Sequence, residues 1–224
     1  MSAYDILKAR GVSRLCHFTT LRSLTHILSS GDGVLATGSI RSDTKNVIDK
    51  ARYDGELDYV CCSVEYPNSW FLKNATINNT DKVFRDWLVL YINLDILNLR
   101  EAKFCPCNAS IGRGRHITDD VNALFADPVC CKKKFCREPN MLSCCPTDGQ
   151  AEILIKSNIP RDCVTGIAVG TEEIGRQIYS IIKTYCIRQI PLYAAPDVLT
   201  SSWSGMIRSG QKPSETNLVW PEEE

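Results

Sequence analysis

Leu15-Cys16-His17-Phe18-Thr19-Thr20-Leu21-Arg22-Ser23-Leu24-Thr25-His26-Ile27-Leu28-Ser29-Ser30-Gly31 is the stretch from which the fold can be built. Its first part is a short apolar run that reads as a strand. Residues two apart in a strand share a face, so His17 and Thr19 project together. Its second part places Leu21, Leu24, Ile27 and Leu28 on one face of a helix. Thr19 or Thr20 can cap the start of that helix and Gly31 can end it. A polar pair is thus mounted at the mouth of a strand and braced by the helix that follows. A ligand site needs that arrangement and a plain core does not, although a single His on an apolar strand is more often a satisfied core residue.

Outward from this unit the pattern is irregular. A short helix is expected over 43–51, strands over 58–64 and 87–92, and a short helix over 119–125. Strands follow over 151–155 and 164–169. A helix over 171–185 has Thr171 as its N-cap and Glu172 and Glu173 in its first turn, where the helix dipole favours them. The last strand is expected over 189–193. Unevenly spaced helices among short strands predict a mixed α+β fold rather than a parallel repeat. The 224 residues are expected to form a single domain, 1–224, with a long loop at about 104–150. The Ser-, Gly-, Pro- and Glu-rich tail from about 200 is expected to be partly loose.

Composition narrows the classes. Hydrophobic residues make up 44% and charged residues 23%, and the formal net charge is zero, so any polyanion must be met by a local patch. No apolar run is long enough to cross a bilayer, and the start of the chain has no export signal. The expected location is the cytoplasm, without a membrane partner. There, twelve cysteines imply free thiols or a metal site rather than a disulfide framework. No G-x-G-x-x-G, P-loop, H-E-x-x-H or G-x-S-x-G is present, which argues against common dehydrogenases, NTPases, zincins and hydrolases.

Five constellations can carry chemistry. Glu152 opens an apolar strand directly after the long loop. By composition it reads as a solvated strand-edge carboxylate, but its position suits a catalytic one. Arg52 precedes the strand at 58–64 and can grip a phosphate through two hydrogen bonds. His17 and Thr19 form the third. His26 reads as structural, and His116 lies in the loop. The fourth is a basic set, including Arg113, Arg115, Lys132, Lys133 and Lys134, near Phe104, Phe125 and Phe135. It reads as an ordinary charged surface or as a grip on single-stranded nucleic acid. The fifth is Cys105, Cys107, Cys130, Cys131, Cys136, Cys144 and Cys145. These give C-x-C and C-C pairs instead of the C-x₂-C knuckles of structural zinc, so free thiols are expected and no metal ligand is assigned.

Order then adds information. An H-F-T is followed by an L-x-x-L-x-x-I-L-x-x-G helix; an arginine precedes a D-Y-V strand; a glutamate sits in an A-E-I-L-I strand after a long loop. Over roughly Arg14 to Pro191 this resembles the DarT family of ADP-ribosyltransferase toxins, which modify DNA bases using NAD. The resemblance implies a split β-sheet core flanked by short helices, with an NAD cleft between two sheets. It implies His17 and Thr19 as NAD-anchoring residues, with Ser23 where the family often carries Asn. It makes Arg52 the essential arginine, binding the cofactor and aiding catalysis, and Glu152 the catalytic acid. The loop from about Cys107 to Gln150 becomes the substrate-recognition loop. Expected partners are single-stranded DNA and a macrodomain antitoxin, with the enzyme a monomer. Two alternatives remain: an ADP-ribosyltransferase acting on RNA or protein, or a non-enzymatic cysteine-rich nucleic-acid binder with zinc.

Overall fold

A computed structural model of the chain describes residues 1–40, 53–68, 70, 72–74, 86–185, 189–200 and 202–220. Arg52 and the helix expected over 43–51 lie outside the described residues. The chain opens with a helix that the sequence reading did not include, α1 (Ala3–Ala9). Ser2 caps it: its hydroxyl accepts from Asp5 N, and its own N–H donates to the Asp5 carboxylate. Strand β1 (Leu15–Thr20) and helix α2 (Leu21–Ser29) follow as expected, with Thr20 at the N-cap and Leu24, Ile27 and Leu28 buried. His26, read as structural, is exposed.

Eight strands form one mixed sheet. In chain order they are β1, β3 (Tyr59–Val64), β4 (Trp87–Ile92), β5 (Ala102–Cys105), β8 (Glu152–Lys156), β10 (Val164–Val169), β11 (Leu192–Ala194) and β12 (Thr216–Leu218). Across the sheet the order is β12-β11-β10-β4-β1-β3-β8-β5. β2 (Val34–Leu35) pairs with β9 (Asn158–Ile159) in a separate ribbon. β4 is buried along its full length, as a central strand covered on both faces must be. Helix α4 (Glu172–Thr184) caps as predicted, Thr171 Oγ1 accepting from Ile174 N at 3.3 Å, and buries Gly175, Ile178 and Ile182. The short helix α3 (Ile96–Leu99) links β4 to β5.

The expected split is present, and it takes the form of a seam within one hydrogen-bonded sheet. β1 pairs with β4 over six residues, from Leu15↔Ile92 to Thr20↔Trp87. With β3 it pairs only at Leu15↔Val64 and Cys16↔Ser63. Beyond Cys16 the two strands part. The closed end is fastened from outside the ladder. Glu65, buried and at φ +62°, accepts from Ser13 N at 2.7 Å and Ser13 Oγ at 2.9 Å, and its carbonyl accepts from Arg14 Nε at 3.1 Å. The seam is therefore tied at one end and open at the other.

One expectation needs correction. The strand near 189–193 is not the last; beyond it lie residues 202–220. They form helix α5 (Trp203–Arg208), with Trp203 buried against Tyr66, and edge strand β12 paired to β11. Glu215, just before β12, forms a two-pronged ion pair with Arg14, whose guanidinium lies 3.7 Å over the Tyr91 ring. The sequence pattern missed this because the contacts are all long-range. The long loop is also ordered: it holds a 3-10 helix over Val121–Phe125 and a hairpin of β6 (Val129–Cys130) and β7 (Lys134–Phe135). Arg137 binds its far side together, donating to the carbonyls of Cys145 (2.8 Å) and Leu142 (3.0 Å).

Candidate active site

Glu152 is the first residue of β8. It pairs with Ser63 of β3 on one side and Cys105 of β5 on the other. Because Ser63 also pairs with Cys16, one row runs Cys16–Ser63–Glu152–Cys105 across the sheet. That row is the last rung before the seam opens. Two strand spacings, about 10 Å, separate the Cys16 and Glu152 backbones. The side chain is half-buried and held by the loop that follows β5. Asn108 Nδ2 donates to Oε1 at 3.1 Å and Ala109 N donates to Oε2 at 2.8 Å. Both donors favour the charged carboxylate and fix its plane. The sequence reading missed them; a backbone N–H leaves no mark in a sequence.

His17 is the first residue of β1 past that rung. Its Nδ1 lies 3.0 Å from the carbonyl of Cys61 in β3, so the ring stands between the parting strands. A carbonyl can only accept, so Nδ1 carries the proton. Burial holds the imidazole pKa below its usual value, partly offset by that carbonyl. The neutral ring therefore offers Nε2, on the side away from Cys61, as an acceptor. Thr19 shares the His17 face, pairs with Leu88 and is buried. Ser23 lies in the first turn of α2 and is half-buried, its Oγ 3.5 Å from Thr20 Oγ1.

The basic set divides. Arg113 and Arg115 lie in the turn after β5, and Lys132, Lys133 and Lys134 at the β6–β7 hairpin; all five are exposed. Among the described residues none of them is in an ion pair. The turn is specified by backbone shape. Gly114 has φ +81°, and a Cβ there would come within 2.6 Å of the Asp54 carbonyl. The two basic segments, far apart in sequence, are neighbours in space. Ligand-type atoms of His116, beside Arg115, and Cys131, beside Lys132, lie within 4.8 Å of one another. None of the eleven described cysteines is in a disulfide.

Arranged this way, a neutral imidazole lies in the seam of a mixed sheet, a fixed carboxylate lies in the last closed rung one strand beyond it, and the turn that holds the carboxylate continues into an exposed basic segment. The same fold occurs in solved ADP-ribosyltransferases. The Thermus sp. 2.9 DarT in complex with ADP-ribosylated ssDNA superposes with a TM-score of 0.60 at 17% identity, covering 84% of this chain and 96% of that one. The same enzyme in complex with NAD+ gives 0.55 at 18% identity, over 80% of this chain and 93% of that one. Thermosipho africanus DarTG in complex with ADP-ribose gives 0.57 at 13% identity, over 84% of this chain and 51% of that one. No curated protein sequence matches the chain. The sequence profile of the DarT family, described as ssDNA thymidine ADP-ribosyltransferase, matches residues 16–200. The chain belongs to the DarT family and is an NAD-dependent ADP-ribosyltransferase of single-stranded DNA.

Proposed function

We propose that Glu152 is the catalytic carboxylate and that His17, Thr19 and Ser23 anchor NAD along the seam, with Arg52 completing the site. The observation that supports this is position: among the described residues Glu152 lies in the last closed rung beside the seam and His17 lies just past that rung. In the reaction the bond between the nicotinamide nitrogen and ribose C1′ breaks, and nicotinamide leaves neutral with the electron pair. Positive charge develops on the sugar, and a fixed carboxylate stabilises it. Thymine in a nucleoside has one ring N–H, at N3. That nitrogen bonds to C1′ and gives its proton to Glu152 as the new bond forms. His17 Nε2 is suited to accept from a ribose hydroxyl, and Arg52 to hold the pyrophosphate or orient the base.

Arg113, Arg115, Lys132, Lys133 and Lys134 would carry the DNA backbone. A single strand presents an unstacked base at least cost. In the cell the enzyme would act as a cytoplasmic monomer, a toxin whose mark a macrodomain antitoxin removes. The test uses NAD labelled in its ADP-ribose part and a thymidine-containing oligonucleotide. Glu152→Gln keeps the size and loses the charge, and labelling is expected to fall by about 10²-fold or more while NAD binding persists. Labelling at the wild-type rate by this variant would sink the assignment.

A further inference from the structure

Beside the catalytic carboxylate lies a second group of side chains that the transfer reaction does not use. Cys107 Sγ, a His116 ring nitrogen and Cys131 Sγ are all within 4.8 Å of one another. Cys105 Sγ lies 4.0 Å from Cys107 Sγ. Four ligands at zinc distances, about 2.3 Å for sulfur and 2.0–2.1 Å for nitrogen, stand roughly 3.8 Å apart around a tetrahedral centre. Cys107, His116 and Cys131 need only a small contraction, and Cys105, close to Cys107 but outside that group of three, must swing inward to complete the set. Cys105 and Cys107 are fully buried in a small apolar cluster with Tyr59, Ala109 and Leu154, which keeps water from that side of the site, while His116 and Cys131 are half-buried. His116 Nε2 accepts from Arg115 Nε at 3.2 Å and is therefore unprotonated there, as a ligand must be. Arg115 is exposed and free to turn aside. Thiolate-rich sets with one imidazole select zinc over the hard cations.

The turn after β5 is held by the Phe104–Thr118 bridge and by short-range backbone bonds, and the hairpin by less. The β6–β7 hairpin has two residue pairs, and the turn after β5 contains three residues at positive φ: Gly112, Arg113 and Gly114. Isolated hairpins of this size are marginal in water. We propose that Cys105, Cys107, Cys131 and His116 bind a structural zinc ion that joins the turn after β5 to the β6–β7 hairpin. The ion takes three thiolates, releasing three protons, and the resulting site carries one net negative charge, offset by the adjacent arginines and lysines. Two consequences follow from position. Asn108 and Ala109, which hold Glu152, lie between two ligands in the chain. Arg115 and Lys132 each sit next to a ligand. The ion would thus set the carboxylate clamp and the basic surface in one frame; that coupling rests on the function proposed above, whereas the metal site does not.

The test is metal analysis of the full chain made in zinc-replete medium and kept reduced. Stoichiometric zinc is expected. Cobalt replacement should give intense thiolate-to-cobalt absorption and the visible bands of a tetrahedral ion. Cys107→Ser and Cys131→Ser should each lose the metal, while Cys130→Ser, at the exposed neighbouring residue, should keep it. Should the first two variants fail to fold, chelator extraction of the wild type serves instead, and it should lower the melting temperature and restore it on zinc return. Folded wild type that holds no zinc and gives no cobalt spectrum would overturn the proposal. So would a Cys107–Cys131 disulfide found by peptide mass, or equal metal loss in Cys130→Ser. Zinc content is read independently of labelling, so loss of one does not decide the other.

Discussion

Replacing Glu215 by glutamine probes whether the C-terminal segment is part of the fold that carries the site. Arg14 stands one residue before β1, and Glu215 one residue before β12, at the far edge of the sheet. Their side chains are 16% and 18% exposed, so the pair is neither a surface ion pair nor a dry one. Surface pairs contribute about 0–1 kcal/mol, whereas removing one partner of a buried pair costs about 3–5 kcal/mol. The mostly buried guanidinium keeps its stacking on Tyr91 when Glu215 is changed. An intermediate loss of about 2 kcal/mol follows. Burial works to lower the Arg14 pKa, and in the wild type the Glu215 hydrogen bonds more than offset it; without them the high intrinsic pKa of arginine still keeps the guanidinium charged. For a domain this size, about 2–4 °C per kcal/mol, the melting temperature should fall by about 4–8 °C. Urea unfolding of Glu215→Gln, Arg14→Met and the double variant gives the coupling directly. The double variant should be more stable than the sum of the single losses implies. Single losses under about 0.5 kcal/mol with no coupling would refute the reasoning and return the tail to an accessory role.

Two further outcomes are expected. Burial keeps His17 neutral, its pKa held below 6.5. The unfolded chain takes up a proton as pH falls past that value and the folded chain resists it, so the stability present above about pH 6.5 is lost as pH falls below it. The drop in melting temperature between pH 7.5 and 5.5 (~2 units of the linkage window) should be smaller in His17→Gln than in wild type; an identical drop would contradict the buried neutral ring. Lys132→Glu with Lys133→Glu should weaken single-stranded DNA binding at low salt and flatten the salt dependence, by about 0.7 in log–log slope per lost phosphate contact. Stability should stay within about 0.5 kcal/mol, and unchanged affinity would remove the hairpin from the DNA surface.

Much of the sheet was legible because its strands are driven by burial. Trp87–Ile92 is apolar throughout, and β4 is covered on both faces. Helix α4 announced itself through Thr171 and a clean apolar stripe. β12 could not be read: Thr216-Asn217-Leu218 lies on a mostly exposed edge and carries no pattern, and what orders it is Glu215 meeting Arg14 from the other end of the chain. The site was legible in part. His17 and Glu152 stood out by order and resemblance, and composition alone favoured bland readings of both. Their approach to one seam depends on register, which the sequence does not display. Asn108 was invisible because its role is to touch a carboxylate across the β5–β8 loop. The cysteine spacing points away from metal because the ligands proposed above come from three separate segments of chain rather than one knuckle.

The seam also bears on how such a protein can diversify. Among the described residues β5 is the outermost strand on its side, and the Phe104–Thr118 bridge lies against its outer edge. Residues added between β5 and β8 therefore enter at the edge of the sheet. They lengthen the loop while the six-residue β1–β4 ladder keeps its register. On the assignment proposed above, target choice and dinucleotide recognition would be heritable separately, and a lineage could change the first many times over while retaining the second.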